Sequence, residues 1–216
     1  MTEQHCIEGI AAPLAIVNLD TDQIMPKQFL RGIDKAGLDR GLLWDLRFDG
    51  EGRVRSDFVL NRPAFDGTRV LIAGPNFGCG SSREHAVWGL QQFGIQAVIA
   101  PSFGEIFYSN AMNNRLLAVM LSSGDAQALM DEALASAEPL RLAIDVQAME
   151  VRTPANRFAF TLSERHRRMF VDGLDMIGLS LTHRSEIDRF ARQQQLAQPW
   201  LCDVARKVEL RLEEGA

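Results

Sequence analysis

Three short apolar runs occupy the middle of the chain. They are Arg69–Gly74, Gln96–Ala100 and Leu116–Leu121, each bounded by glycine, proline or polar residues. Runs of this length, apolar at successive positions, predict strands buried on both faces. Between the first two, residues 82–93 space Val87, Leu90 and Phe93 at helical intervals. Between the second and third, residues 104–114 predict a helix with Ile106, Phe107 and Met112 in the core. Strand–helix alternation of this kind predicts parallel pairing through right-handed crossovers.

The flanks follow other periods. Residues 5–17 hold Ile7, Ile10, Leu14, Ile16 and Val17 around Pro13 and predict one or two short strands. Residues 125–137 predict a helix with Ala128, Leu129 and Leu134 inward. From Leu140 to Leu162 the apolar positions approximate alternation about a turn at Pro154-Ala155-Asn156, which predicts an antiparallel hairpin. Arg165–Gly173 reads as a short helix, and Thr182 or Ser185 is placed to cap a last helix bearing Ile187, Phe190 and Ala191. Residues 32–66 form an excursion interrupted by Gly37, Gly41, Gly50, Gly52 and Pro63, and excursions of that length are often functional and mobile. The fold class expected is α/β: a parallel-strand core, an antiparallel hairpin and a C-terminal helix. One domain is expected over residues 1–197, with a peripheral tail at 198–216.

Composition narrows the picture only a little. Hydrophobic residues make up 46% and charged residues 24% of 216, which is ordinary for a globular chain. The formal charge of −5, with no long run of one sign, argues against a general nucleic-acid binder. Met1–Ile10 lacks the basic-then-apolar pattern of a secretory signal. Cys6, Cys79 and Cys202 are odd in number and far apart, which fits a reducing cytoplasm and offers no metal cage.

The chemistry concentrates in Asn76-Phe77-Gly78-Cys79-Gly80-Ser81-Ser82-Arg83-Glu84-His85-Ala86, a glycine-bearing turn between a strand and a helix. Ser81-x-x-Glu84 has the spacing of a capping box, in which serine accepts from the helix backbone and glutamate reaches back. That leaves Arg83 unexplained, because a cation at a helix start opposes the dipole unless an anion shares it. A cysteine nucleophile would pair Cys79 with His85, but no third orienting group is evident. A phosphate loop would need the Lys-Ser/Thr that is missing here. A carboxylate site would use backbone N–H groups and Arg83 to hold the anion while Ser81 moves a proton, its alkoxide stabilised by the same groups. Upstream, Asn18-Leu19-Asp20-Thr21-Asp22-Gln23-Ile24-Met25-Pro26 reads as an Asx-type turn with Asp20 or Asp22 available to face a site. The later positions of a calcium loop are absent.

Residues 76–86 resemble the signature of the aconitase superfamily's swivelling domain. Asp20–Leu30 resembles the N-terminal motif of one branch, the small subunits of 3-isopropylmalate dehydratase. Asp57–Asn61, Ala100–Phe103, Ile106–Tyr108, Asn113-Asn114 and Gly173–Leu179 match too, so the likeness spans roughly residues 5–192. It implies a β/β/α swivelling domain and a cytoplasmic hydro-lyase of leucine biosynthesis. Such an enzyme moves a hydroxyl between adjacent carbons through an alkene and is active only with a large subunit that carries a [4Fe–4S] cluster. Carried over, Ser81 matches the general-base serine, and Ser82 and Arg83 match ligands of the substrate carboxylate. Asp22 matches a supporting acid of the motif, followed here by Gln23 where aconitase has histidine. Arg31 matches a second carboxylate-binding arginine if the alignment takes a gap. Leu42 and Leu43 are placed to offer an apolar surface to an isopropyl group. A related hydro-lyase acting on citramalate or dimethylmalate, or a non-catalytic partner subunit, would share the fold.

Overall fold

A computed structural model describes residues 5–30 and 36–214. The chain forms two compact units, one ending at Asp175 and one beginning at Met176, so the boundary expected at residue 197 falls inside the second.

The first unit is built on one seven-stranded sheet. Its strands are β1 (Cys6–Leu14), β2 (Thr68–Ala73), β3 (Ala97–Ala100), β4 (Leu117–Met120), β5 (Arg141–Asp145), β6 (Glu150–Arg152) and β7 (Arg157–Ala159), in the spatial order β4-β3-β2-β1-β5-β6-β7. β1 to β4 pair in parallel, with Leu71 opposite Val98 and Ile99 opposite Val119. β5 turns antiparallel to β1, and β6 and β7 follow as a meander. β3 is buried at all four positions, as its unbroken apolar run requires. β1 runs unbroken through Pro13. Ala11 N–H donates to Leu140 O at 2.8 Å, and the nitrogen of Pro13, two residues on, faces the same way past the start of β5. The missing N–H therefore removes no ladder bond.

The helices are α1 (Thr21–Ile24), α2 (Trp44–Arg47), α3 (Glu84–Phe93), α4 (Glu105–Asn113), α5 (Ser123–Ala135) and α6 (Glu164–Val171) in the first unit. α5 packs on β1 and β2 through Ala126, Leu129, Met130 and Ala133, an i, i+3, i+4, i+7 stripe. The expected phase was off by part of a turn: Leu129 is inward, but Ala128 and Leu134 are exposed. In α4, Phe107 and Met112 are core residues while Ile106 faces solvent.

Within residues 36–66, Leu38, Leu42, Leu43 and Leu60 are buried, while residues 50–57 are exposed. Short 3-10 turns and α2 are tied together by Arg47 and Asn61. Arg47 Nη1 donates to Asp39 O (3.3 Å) and Leu42 O (3.2 Å), and its Nε to Asn61 Oδ1 (3.2 Å). Asn61 Nδ2 returns donations to Arg47 O (2.6 Å) and Arg55 O (2.9 Å). The guanidinium lies 4.8 Å from the centroid of Phe93, and its burial lowers its pKa.

The second unit holds α7 (Met176–Leu181), α8 (Arg184–Ala197) and α9 (Val204–Glu214). The residues expected as a tail are thus helical in part. The expected cap of α8 does not form: His183 precedes it without a capping bond, and Thr182 Oγ1 donates back to Leu179 O at 2.7 Å.

Candidate active site

The carboxyl ends of β1, β2 and β3 continue as three backbone segments that stay in register. Asn18 N–H donates to Pro75 O (2.9 Å), Gly78 N–H to Leu19 O (2.7 Å) and Thr21 N–H to Cys79 O (2.9 Å). On the other side, Phe77 N–H reaches Ser102 O (3.1 Å) and Gly104 N–H reaches Phe77 O (2.9 Å). Loops beyond the carboxyl ends of parallel strands are where open α/β sheets present their chemistry. Asn18 (φ 55°) and Asn76 (φ 58°) both take the left-handed conformation, and Asn76 Nδ2 donates to Asn18 Oδ1 at 2.8 Å. Asparagine tolerates that conformation better than most residues.

Close packing demands glycine within the turn. Gly78 has φ +71°, and a Cβ there would lie 2.2 Å from Phe107 Cγ. A Cβ on Gly104 would lie 2.5 Å from Gly78 O. The loop is pressed onto the start of α4 with no room for a side chain.

The Asp20–Gln23 stretch, read as an Asx-type turn, makes a capping box. Gln23 N–H donates to Asp20 Oδ1 (2.7 Å), and Asp20 N–H donates to Gln23 Oε1 (3.1 Å). The box starts α1, a single turn that presents Thr21 and Asp22 to the loop after β2. Thr21 Oγ1 donates to Ser81 O (2.8 Å) and lies 3.2 Å from Ser81 Oγ. Asp22 is ion-paired with Arg83. Arg83 Nη1 also reaches Met25 O at 3.5 Å. Both contacts use Nη1, so Nε and Nη2 have no partner among the described residues.

The capping box expected at Ser81-x-x-Glu84 does not form. α3 starts at Glu84 with Arg83 before it and no side-chain cap. Ser81 is held by Thr21, and Glu84 accepts from Asn114 Nδ2 at 2.6 Å. Asn114 also accepts from Trp88 Nε1 (2.9 Å), so it pins α3 to the end of α4. The backbone N–H groups of Gly80, Ser81 and Ser82 are left without a partner among the described residues.

The structure therefore brings Asp22, Ser81, Ser82 and Arg83 into one place, with both serines exposed. It does not bring Leu42 and Leu43 there as an apolar surface. Both are fully buried, because Leu43 takes φ 51° and donates to Ile24 O (2.9 Å), turning the pair into the core. Arg31 lies outside the described residues. Cys79 Sγ donates to Asn18 O at 3.4 Å, and the His85 ring rests on Trp88 with centroids 4.9 Å apart, so the two do not form a nucleophile–base pair. The contact of Thr21 with Ser81, 60 residues away in sequence, is not visible in local patterning. No group of three or more His, Cys, Asp or Glu side chains among the described residues is placed to hold a metal ion.

Residues 1–124 match the family described as the aconitase C-terminal domain. A relative from Chromobacterium violaceum, named 3-isopropylmalate dehydratase small subunit 1, is 58% identical over 212 residues, 98% of this chain and 100% of the relative. The chain belongs to the family of 3-isopropylmalate dehydratase small subunits. Another small subunit, from Phenylobacterium zucineum, is 47% identical over 90% of this chain and 96% of its own length. A solved 3-isopropylmalate dehydratase structure from Methanocaldococcus jannaschii superposes with a TM-score of 0.61 at 26% identity, covering 86% of this chain and 99% of that one.

Proposed function

We propose that this chain is the small subunit of a cytoplasmic 3-isopropylmalate dehydratase. The enzyme interconverts 2- and 3-isopropylmalate by dehydration and rehydration through 2-isopropylmaleate in leucine biosynthesis. The observation that carries the reading is the arrangement around Ser81. Its side chain is exposed, and among the described residues three backbone N–H groups beside it lack partners and the Arg83 guanidinium two residues on has its Nε and Nη2 unengaged.

In that reading the substrate carboxylate lies against Arg83, Ser82 and the unpartnered N–H groups. Charge-assisted bonds of this kind are short and directional. They also draw electron density from the adjacent carbon and so acidify its C–H. Ser81, as alkoxide, takes that proton, and the electron pair left on carbon expels hydroxide from the neighbouring carbon. Rehydration reverses the sequence, with Ser81 returning the proton to the other carbon. Asp22 keeps Arg83 aimed at the carboxylate. Arg31 is assigned to the second substrate carboxylate.

The departing hydroxide needs a Lewis acid, and a [4Fe–4S] cluster on the large subunit supplies that chemistry. The donor set of this chain supports that reading: Cys6, Cys79 and Cys202 lie far apart in sequence, with none of the close cysteine spacings by which a cluster is usually held. The active site then lies between the two subunits. The test is an anaerobic assay of the chain mixed with its cognate large subunit against 2-isopropylmalate, 3-isopropylmalate, citramalate and dimethylmalate. Turnover of the isopropylmalates only in the mixture is expected. Preference for a smaller malate, or turnover by this chain alone, would overturn the assignment.

A further inference from the structure

Thr21 has one hydroxyl hydrogen and two lone pairs. Its Oγ1 lies 2.8 Å from the carbonyl oxygen of Ser81 and 3.2 Å from Ser81 Oγ. A carbonyl only accepts, so the Thr21 hydrogen is committed to it. The 3.2 Å contact must then run the other way, with the Ser81 hydroxyl donating to Thr21 Oγ1. That aims the Ser81 hydrogen back into the protein and leaves its remaining lone pairs toward the exposed side. Thr21 is 1% exposed, so solvent does not compete for its hydroxyl. Its backbone is fixed on both sides: its N–H donates to Cys79 O (2.9 Å), and its carbonyl accepts from Met25 N–H (3.0 Å).

We propose that Thr21 is a positioning residue for Ser81 that works as a two-position donor, a role that rests on Ser81 being the base. While Ser81 is a neutral hydroxyl, the Thr21 hydrogen stays on the Ser81 carbonyl. When Ser81 ionises, its proton leaves to solvent and Oγ becomes an acceptor. A rotation of one hydroxyl then moves the Thr21 hydrogen from the carbonyl to the alkoxide. A hydrogen bond to the charged form favours that form, and a preorganised donor aimed at developing charge stabilises it without reorganisation. When the alkoxide takes a proton from the substrate carbon, an O–H bond forms as the C–H bond breaks. The Thr21 hydrogen then returns to the carbonyl. Thr21 gains and loses no proton over the cycle. The carbonyl does not go bare in the ionised state, because Arg83 N–H also donates to it at 3.0 Å.

The test uses the assembled two-subunit enzyme, assayed anaerobically with 3-isopropylmalate. Thr21→Val keeps the shape and removes the hydroxyl. We expect kcat to fall on the order of 10²-fold, the effect of removing one preorganised donor to a developing oxyanion. KM should change little, and the rise of kcat with pH should move to higher pH because the alkoxide is harder to form. Thr21→Ser, which retains the donor, should restore most of the rate and the original pH dependence. In a Ser81→Ala background, Thr21→Val should remove nothing further, since its route of action is gone. Wild-type kcat and pH dependence in Thr21→Val would overturn the proposal. So would an equal loss in the Ser81→Ala background, which would mark a merely structural role. If Thr21→Val fails to assemble with the large subunit, the comparison moves to Thr21→Ser and Thr21→Ala. Equal kcat and pH profiles in those two would overturn it as well. Undiminished turnover in Ser81→Ala alone would instead remove Ser81 as the base, a separate failure.

Discussion

Asp22 and Arg83 are ion-paired across the seam between the first and second loops of the candidate site. The Arg83 side chain is only 15% exposed and Asp22 47%. The pair resolves a puzzle in the sequence, where a cation at a helix start had no partner: the partner arrives from α1, 61 residues upstream. Because Asp22 and the Met25 carbonyl both engage Nη1, the rest of the guanidinium fork stays presented to the loop. Asp22→Asn keeps the shape and removes the charge that holds the fork. The expected outcome in the assembled enzyme is a rise in KM of about 10-fold or more, in the range of a charged hydrogen bond, with a smaller effect on kcat. Arg83→Lys should be worse, because an ammonium cannot serve Asp22 and a carboxylate with a planar fork. Steady-state kinetics of both variants check this; an unchanged KM in both would remove the carboxylate role.

Ser81→Ala addresses the base. The Ser81 side chain is exposed, so the variant should fold and join the large subunit normally. Its kcat should drop on the order of 10² or more, the usual contribution of a positioned acid–base group. Co-purification with the large subunit separates lost chemistry from lost assembly. Near wild-type turnover in the assembled variant would end the assignment.

The difference between what the chain spells out and what it hides is physical. β2, β3 and β4 are legible because strands buried on both faces must be apolar at every position. The glycines of the 76–86 turn are legible because only glycine suits Gly78's conformation and contact with Phe107. Ser81-x-x-Glu84 misleads because a capping box is a local pattern, and a long-range partner, Thr21, takes the serine away. Leu42 and Leu43 mislead in the opposite sense: in a glycine-punctuated stretch they resemble an exposed patch, yet the Arg47–Asn61 exchange folds that stretch inward. Contacts between residues 60 apart leave no trace in the pattern of either segment alone.

That burial changes what a substitution at Leu42 should do. Leu42→Ala opens a cavity in a fully buried position and should lower stability by about 2–5 kcal/mol. The KM of the fraction that remains folded should stay near wild type. Denaturant unfolding beside steady-state kinetics distinguishes this from a role in substrate contact, which would raise KM with little change in stability.

The sign of a pH effect follows from His166. Burial, and then the neighbouring charge of Arg165, push its pKa below the usual histidine value. Its ring lies 5.9 Å from that of Tyr108, and Nδ1 is buried without a hydrogen bond. A histidine depressed in the folded state binds its proton more readily when unfolded. Its contribution to stability is therefore full above the unfolded pKa of about 6.5 and is lost as pH falls through the lower folded value. His166→Gln should flatten the decline in unfolding midpoint between about pH 7.5 and pH 5 relative to wild type. Parallel curves for the two proteins would show that His166 does not couple to folding.

The loop's dependence on glycine gives a differential test between two neighbouring positions. Gly78 and Gly80 both have positive φ, +71° and +93°. A Cβ at Gly78 would meet Phe107 Cγ at 2.2 Å, whereas one at Gly80 would meet Asp20 Cβ at 3.5 Å, an ordinary contact. Gly80→Ala therefore carries only the backbone term, about 1–2 kcal/mol for a left-handed alanine. Gly78→Ala adds overpacking of about 1–3 kcal/mol, because Phe107 is a core ring packed edge-on to Phe77 at 5.2 Å and cannot withdraw freely. Equilibrium unfolding of the two variants should place Gly78→Ala clearly below Gly80→Ala. Any shift of the Gly78 backbone also pulls on the Leu19 carbonyl it donates to at 2.7 Å, and through it on Thr21 and Asp22. Gly78→Ala should thus lose kcat as well as stability. Equal stability losses in the two variants would mean that the loop lifts off α4 at little cost, and that the close approach of Gly78 to Phe107 does not set the position of Ser81.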